Sequence, residues 1–488
     1  MLRSAGTETR STFCLLNESS QPVDVLLAVD RGGTGTLGAQ IEHQLRVAIR
    51  DGKLRPGTQV PSTRDLARQL GISRRVAVDA YAQLAAEGYL LLRQGARPRV
   101  SASASAAVGA PERSAASSRD AVIRFDFRPS MPDVSSFPRR AWLRSLRAAL
   151  ATMTDADLGY GDPLGVESLR ASLADYLGRV RGVVAGAESI AVTCGYSQGL
   201  GIVCSALAER GARRVAVEDP SFAEQRVVVR RAGLEPVPVE VDELGLRVDL
   251  LAAADVDAVV LTPAHQHPTG VVLAADRRAE LVSWLRERDA VAIEDDYDAE
   301  YRYDRAAVGA LQGLDPERVV YIGSVSKSLA PALRIGWVVV PPALVHAVRA
   351  GKQLADRQTD RIQQHAFGDF LARGELDRHL RRQRAEYRRR RDALLAAVAR
   401  ELPGAKVSGI AAGLHAIVQL SESDDEEAIV EEARRRGIAL DTMNAGRAGP
   451  PRSPATLLLG YGQISEPAIG PGIRAIAEVI RSTREPPP

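Results

Sequence analysis

A chain of 488 residues with 45% hydrophobic content is long enough for two or three domains and a large core. Its formal charge of +3 is near neutral, so any surface for nucleic acid must be a local patch. Cys14, Cys194 and Cys204 are scattered and odd in number, which fits a reducing cytosol. No apolar run approaches the roughly twenty residues of a membrane span, and the polar opening MLRSAGTETR is not a signal peptide. A cytoplasmic protein with no membrane partner is therefore expected, and no internal repeat is visible.

Residues 1–36 read as an irregular arm containing a short edge strand at 26–30. A helix is predicted over 37–51, with Ile41, Leu45, Ala48 and Ile49 on one apolar face. Ser62 or Thr63 suits the N-cap of a second helix carrying Leu66, Ala67 and Leu70. Gly71-Ile72-Ser73-Arg74 is a tight turn into a third helix, capped by Ser73 and carrying Val76, Val78, Ala80, Tyr81 and Leu84. Two helices across a short glycine-containing turn form a helix-turn-helix signature. Arg74 and Arg75 fall in the first turn of the second of these, the end that enters a major groove. Residues 87–100 read as two short strands around a basic tip with Arg97 and Arg99. Residues 101–122 are Ala/Ser-rich and aperiodic, a flexible linker that as a random coil spans about 25 Å.

From residue 123 onward, seven short apolar runs alternate with helical patterns: 190–192, 215–217, 237–239, 258–261, 291–293, 319–322 and 337–340. That is an α/β pattern with a mostly parallel sheet. Long helical stretches follow at 344–373 and 376–400, then a smaller α+β part with strands at 414–420 and 456–459. The basic run from Arg378 to Arg391 fits a solvated helix face better than a contact with DNA or the linker.

The chemistry gathers around Lys327. In the stretch 321–337, Ser324, Ser326 and backbone N–H groups can hold a phosphate, and Arg334 can fork onto it. A lysine amine beside a bound phosphate suits a Schiff base with an aldehyde cofactor; otherwise Lys327 is a surface lysine on a turn. Upstream, Asp295 and Tyr297 lie two apart at a strand end and share a face. A carboxylate there can pair with a protonated pyridine nitrogen and a phenol with the ring's 3-oxygen, unless the acidic run 294–298 is merely solvated. Gly195-Tyr196-Ser197 opens a helix after a strand, a ready phosphate site. Phe222 follows another strand and could lie flat on a ring.

In this order these motifs resemble fold-type I pyridoxal-phosphate enzymes. More closely, residues 123–488 resemble the aminotransferase-like half of MocR-type (GntR family) transcription regulators. Further segments carrying the likeness are Phe125-Asp126-Phe127-Arg128, Leu158-Gly159-Tyr160-Gly161-Asp162-Pro163-Leu164-Gly165 and Thr262-Pro263-Ala264-His265-Gln266-His267-Pro268-Thr269-Gly270. Residues 37–100 resemble a GntR-type winged helix through Pro61-Ser62-Thr63-Arg64-Asp65-Leu66-Ala67 and Ala86-Glu87-Gly88-Tyr89-Leu90. The implied fold is a winged helix-turn-helix plus an aminotransferase-like domain: a mostly parallel seven-stranded sheet with helices on both faces, and a small α+β C-terminal part.

The resemblance implies that Lys327 carries pyridoxal phosphate, Asp295 pairs with its pyridinium and Tyr297 meets its 3-oxygen. Phe222 stacks on the ring, while Ser324, Ser326, Arg334 and the Gly195-Tyr196-Ser197 turn hold the phosphate. Tyr160 reaches the phosphate of a partner subunit, which implies a head-to-tail homodimer. Arg64, Ser73, Arg74 and Arg75 face double-stranded DNA, with Arg97 and Arg99 of the wing beside them. Ala96-Arg97-Pro98-Arg99 replaces a second glycine common in such wings. No metal site is implied. The implied function is a DNA-binding transcription regulator that senses a small effector: an amine, an amino acid or the cofactor itself. The alternative is a working aminotransferase with a DNA-binding domain. Against turnover, Leu457-Leu458-Leu459-Gly460-Tyr461 offers leucines where the resembled enzymes carry a substrate arginine. Glu224 stands where some relatives carry an effector-binding arginine, and His267 where enzymes commonly carry asparagine.

Overall fold

The computed structural model describes residues 12–15, 26–103, 122–303, 308–409 and 411–484. The chain packs as two units, Met1–Asp120 and Ala121–Pro488.

In the smaller unit, strand Leu26–Val29 pairs antiparallel with Thr12–Leu15. Three helices follow: α1 (Leu37–Arg50), α2 (Thr63–Leu70) and α3 (Arg74–Ala86). Ser62 caps α2, accepting from the Asp65 amide at 3.2 Å, and Ser73 caps α3 through the Val76 amide at 3.4 Å. Gly71, at φ +62°, ends α2 in the left-handed region and makes the three-residue turn into α3 possible. Leu27, Ile41, Leu45, Leu66, Leu70, Ala77, Tyr81 and Leu84 form the core, and the buried Tyr81 phenol donates to the Pro61 carbonyl at 3.0 Å.

The third helix carries Val76, Val78, Ala80, Tyr81 and Leu84 as expected; Val78 is 42% exposed, and Ala77 is buried. At 100° per residue, Ala77, Ala80, Tyr81 and Leu84 share a stripe that Val78 falls outside. The wing is the hairpin Leu90–Leu91 with Arg99–Val100. Most of the expected linker, residues 104–121, lies outside the described residues, as do residues 1–11 and 16–25 of the arm.

In the larger unit the main sheet runs, edge to edge, Ile190–Thr193, Gly336–Val339, Val319–Ser324, Val291–Asp296, Ala258–Leu261, Arg214–Asp219, Glu235–Asp242, Gly245–Leu246. Gly336–Val339 is antiparallel to both neighbours, and the five strands from Val319–Ser324 to Glu235–Asp242 are parallel. The eighth strand is only two residues, a hairpin return on Glu235–Asp242 that no apolar run in the sequence marks.

Successive side chains enter opposite cores. Tyr321 and Trp337 pack on one face, Ile322 and Val338 on the other. Burial on both sides explains the continuous apolar runs. Gly336 is required where two strand ends meet, because a Cβ there would lie 2.7 Å from the Gly195 Cα.

The helical stretch expected over 344–373 is two helices, Val345–Asp356 and Arg361–Ala372. Arg357 turns out of the helix at φ +61°, and Asp360 caps the next by accepting from the Gln363 amide at 3.0 Å. Helix Glu375–Glu401 then packs on helix Glu466–Arg484 and borders a small antiparallel sheet of Lys406–Ser408, His415–Gln419, Thr456–Gly460 and Asp441–Thr442. On its basic stretch Arg378, Arg381, Arg382, Arg384, Arg388 and Arg389 are exposed. Arg390 turns inward, 2.7 Å from Asp133 and 2.5 Å from the Gly462 carbonyl. Among the described residues no helix is long and apolar enough to cross a membrane.

Removing one partner of a buried ion pair leaves the other charge dry. Arg390→Ala should therefore cost about 3–5 kcal/mol in urea unfolding, while Arg389→Ala next to it should stay within about 0.5 kcal/mol.

Candidate cofactor site and nucleic-acid interface

Strand Val291–Asp296 delivers its acids at the carboxyl end of the sheet, where open α/β sheets form their ligand crevice. Alternation separates them. Asp296 takes Arg181 Nε at 2.7 Å and the Tyr321 hydroxyl at 2.5 Å. Asp295 points to the other face and accepts from the Tyr196 hydroxyl and from Gln225 Nε2 at 3.3 Å. Burial, reinforced by Asp296, pushes the Asp295 carboxyl well above its ordinary range. Lys327 follows the adjacent strand Val319–Ser324, and its carbonyl accepts from the Tyr301 hydroxyl at 3.2 Å. Burial lowers the Lys327 amine, opposed by the carboxylates of Asp298, Asp295 and Glu224. An amine biased toward its neutral form is a competent nucleophile for a carbonyl.

The anion-binding groups meet beside it. Gly195, at φ +119°, caps the N-terminus of helix Tyr196–Glu209, where backbone N–H groups and the dipole are positive. Arg334, held at φ +52°, brings its guanidinium to that turn: a Cβ on Gly195 would lie 3.4 Å from Nη2. The Arg334 amide donates to the Pro331 carbonyl at 3.3 Å, and among the described residues its guanidinium has no hydrogen-bond or ion-pair partner. A guanidinium set against a helix N-terminus with no carboxylate between them is a site for an anion such as phosphate. The Ser326 amide donates to Ser324 Oγ at 3.4 Å, which orders the turn before Lys327.

Tyr297 shares the crevice with three histidines. Its hydroxyl lies 3.0 Å from His265 Nδ1, which also lies 3.0 Å from the Asp298 carboxylate. His267 packs edge-on to Tyr297 and Phe222, with ring centroids 5.7 and 6.2 Å away, and its buried Nδ1 has no partner among the described residues. Burial, then His415, His265 and Lys327, hold His267 well below its ordinary value. Phe222 is 39% exposed on the open side. Tyr160 is not brought to this group within one chain; its ring is 83% exposed, with the Arg357 guanidinium 5.6 Å above it.

On the smaller unit Arg64, Ser73, Arg74, Arg75, Arg97 and Arg99 are all exposed. Arg64 opens α2, and Arg74 and Arg75 open α3 beside its Ser73 cap. Arg75 makes only a long 3.9 Å approach to Asp79, and Arg99 Nη1 donates to the Gly57 carbonyl at 3.3 Å. Arg97 acts electrostatically on Asp65 of α2, so the wing tip and the helix pair share a field.

Two family models match this chain: aminotransferase class I and II over residues 133–452, and bacterial regulatory proteins, gntR family, over residues 37–100. The chain is 30% identical to the HTH-type pyridoxine biosynthesis transcriptional regulator PdxR of Corynebacterium glutamicum, over 86% of this chain and 91% of that one. It is also 30% identical to the probable rhizopine catabolism regulatory protein MocR of Rhizobium meliloti, over 92% and 95%. The chain belongs to the MocR-type transcription regulators of the gntR family. Its larger unit has the fold of the aminotransferases. A kynurenine aminotransferase of Pyrococcus horikoshii, solved with PMP, aligns at a TM-score of 0.67 and 27% identity over 75% of this chain and 92% of that one.

For this MocR-type chain, sequence reasoning missed several site residues. The Tyr196 side chain was expected only as part of a phosphate turn, yet its hydroxyl serves Asp295 and accepts from Gln225 at 2.8 Å. Gln225, three residues past Phe222 on one helical face, carried the available signal. His265 and Asp298 lie inside motifs already singled out, but their pairing joins segments 33 residues apart. His415, on a strand of the small sheet, had no signal.

Burial holds His415 down to about 4, from an ordinary 6.5. A base with a depressed folded pKa costs no stability above the unfolded value and destabilises increasingly as pH falls from 6.5 toward 4. Urea midpoints should drop more steeply through that window in the wild type than in His415→Asn.

Proposed function

We propose that this regulator binds pyridoxal phosphate at Lys327 and couples the state of that site to operator binding. The carrying observation is the pairing of opposite deficits in one crevice: a partnerless Arg334 guanidinium facing a helix N-terminus, and a buried Asp295 that needs a cation. The cofactor's phosphate and pyridinium answer both. Bound there, it supplies an electrophilic carbonyl and an electron-withdrawing ring. Lys327 is the attachment point. Arg334, the 195–197 turn, Ser324 and Ser326 hold the phosphate, Asp295 holds the ring-nitrogen proton, and Tyr297 orients the ring oxygen. Tyr196 and Gln225 fix Asp295, and Phe222 covers the ring. Tyr160, exposed within its own chain, serves the phosphate site of a second copy in a head-to-tail dimer.

The effector is an amine, an amino acid or the cofactor itself, and the larger unit is a sensor rather than an efficient transaminase. Leu457, Leu458 and Leu459 are buried in a strand of the small sheet, so no guanidinium stands there to clamp a carboxylate. The smaller unit reads double-stranded DNA in the cytoplasm. Arg74 and Arg75 enter the major groove, and Arg64, Arg97 and Arg99 contact the backbone.

Incubated with pyridoxal phosphate, the protein should gain a visible absorbance band, and borohydride should fix the cofactor's mass to the Lys327 peptide; a band that persists in Lys327→Ala refutes the assignment. In gel shifts on the gene's own upstream region at fixed salt, Arg74→Ala should weaken binding by roughly 1–3 kcal/mol. Unchanged affinity would remove Arg74 from base reading.

A further inference from the structure

Beside the histidines, on the side of the small sheet, lies a separate cavity of about 310 Å³. Lys327, Asp295, Phe222 and Arg334 do not line it. Its polar wall is His265, His415, Arg391 and Ser408, and Ile417 is on the apolar side. Among the described residues no carboxylate lines it. The nearest acid to the Arg391 guanidinium is its sequence neighbour Asp392, 3.6 Å away and mostly exposed. His415 is 5% exposed. Its Nε2 donates to the Pro268 carbonyl at 3.1 Å, leaving Nδ1 as an acceptor with no partner among the described residues. Gly270, also in the wall, sits where a Cβ would lie 3.5 Å from His265 Nε2, so this imidazole has one nitrogen toward the cavity. Its other nitrogen touches Tyr297 and Asp298.

We propose that this cavity binds a short carboxylate, anchored by Arg391 and Ser408, and that His265 relays its presence to Tyr297. A guanidinium paired only at 3.6 Å with the mostly exposed Asp392, in a partly enclosed pocket lined by no acid among the described residues, favours an anion, and the volume admits a molecule of a few carbons. A carboxylate in the cavity sets a negative charge against one edge of the His265 ring, whose opposite nitrogen lies 3.0 Å from the Tyr297 hydroxyl, so occupancy is felt at that hydroxyl. The relay rests on the proposed meeting of Tyr297 with the cofactor; the binding does not.

The test is calorimetry on the full chain, with and without pyridoxal phosphate, titrating acetate, propionate, succinate and inorganic phosphate separately. At least one carboxylate should bind saturably to the wild type and equally to Lys327→Ala. Arg391→Ala should weaken it roughly ten- to hundredfold. Val407→Phe, which fills the cavity from an exposed strand position, should do the same and stands in if Arg391→Ala fails to fold. Binding of none of the carboxylates, binding of phosphate alone, retention in both cavity variants, or loss in Lys327→Ala would each overturn the site. In the loaded protein the bound carboxylate should shift the visible band, and the shift should vanish in Arg391→Ala. Carboxylate binding with an unmoved band would overturn the relay alone. A protein that never takes up pyridoxal phosphate would sink the cofactor reading and leave the calorimetry intact.

Discussion

A lysine amine sunk at the carboxyl end of a parallel sheet loses hydration that the facing carboxylates return only in part. For Lys327 burial is the largest influence, ahead of Asp298, Asp295 and Glu224. The same burial drives Asp295 toward its neutral form. Amine and acid are therefore displaced toward neutrality together, in a crevice whose third charged member, Arg334, has no anion. Protein groups alone do not relieve this. A ligand that bonds covalently to the amine, offers a cation to the acid and carries a dianion to the guanidinium relieves all three at once. The cost of desolvating the site is thus recovered only when it is filled.

The acidic run at 294–296 is where strand geometry converts composition into function. Glu294 and Asp296 share one face. Glu294 accepts the Leu311 and Gln312 amides, each at 2.9 Å, and Asp296 pairs with Arg181. Both are absorbed by structure. Asp295, between them, alone points to the crevice. Three adjacent acids thus divide into two that hold loops and helices on the sheet and one left for chemistry. A register slip of one residue would exchange the roles.

Much of this was legible in the sequence because it is local. The seven apolar runs, the Ser62 and Ser73 caps, the turn at Gly71 and the strand leading to Lys327 are short-range patterns, and all reappear in the structure. What escaped is of two kinds. The break at 357–360 is local, but there capping chose among permitted patterns: an Asp360 cap over a continuous helix. Tyr196 with Gln225, His265 with Asp298, and His415 beside both are non-local. Each side chain is ordinary in its own segment, and only the crossing of the sheet and the small C-terminal part gives it a partner. The expected role of Tyr160 at the crevice is a proposal of another order, since a single chain leaves its ring in solvent.

The separation of the two cores sets what a ligand can accomplish. The winged helix is complete without the larger unit: its apolar residues bury one another, and its caps and turns are internal. On the proposed reading, a ligand at Lys327 shifts an equilibrium between arrangements of the protein by no more than its difference in affinity for them. A transaminase gains by releasing its products, because each turnover empties the site; a sensor gains by retaining what it binds. On the proposed reading, leucines in place of a substrate clamp and His267 in place of an amide cost catalysis and leave retention to the phosphate and ring contacts, an exchange without penalty where occupancy is the output.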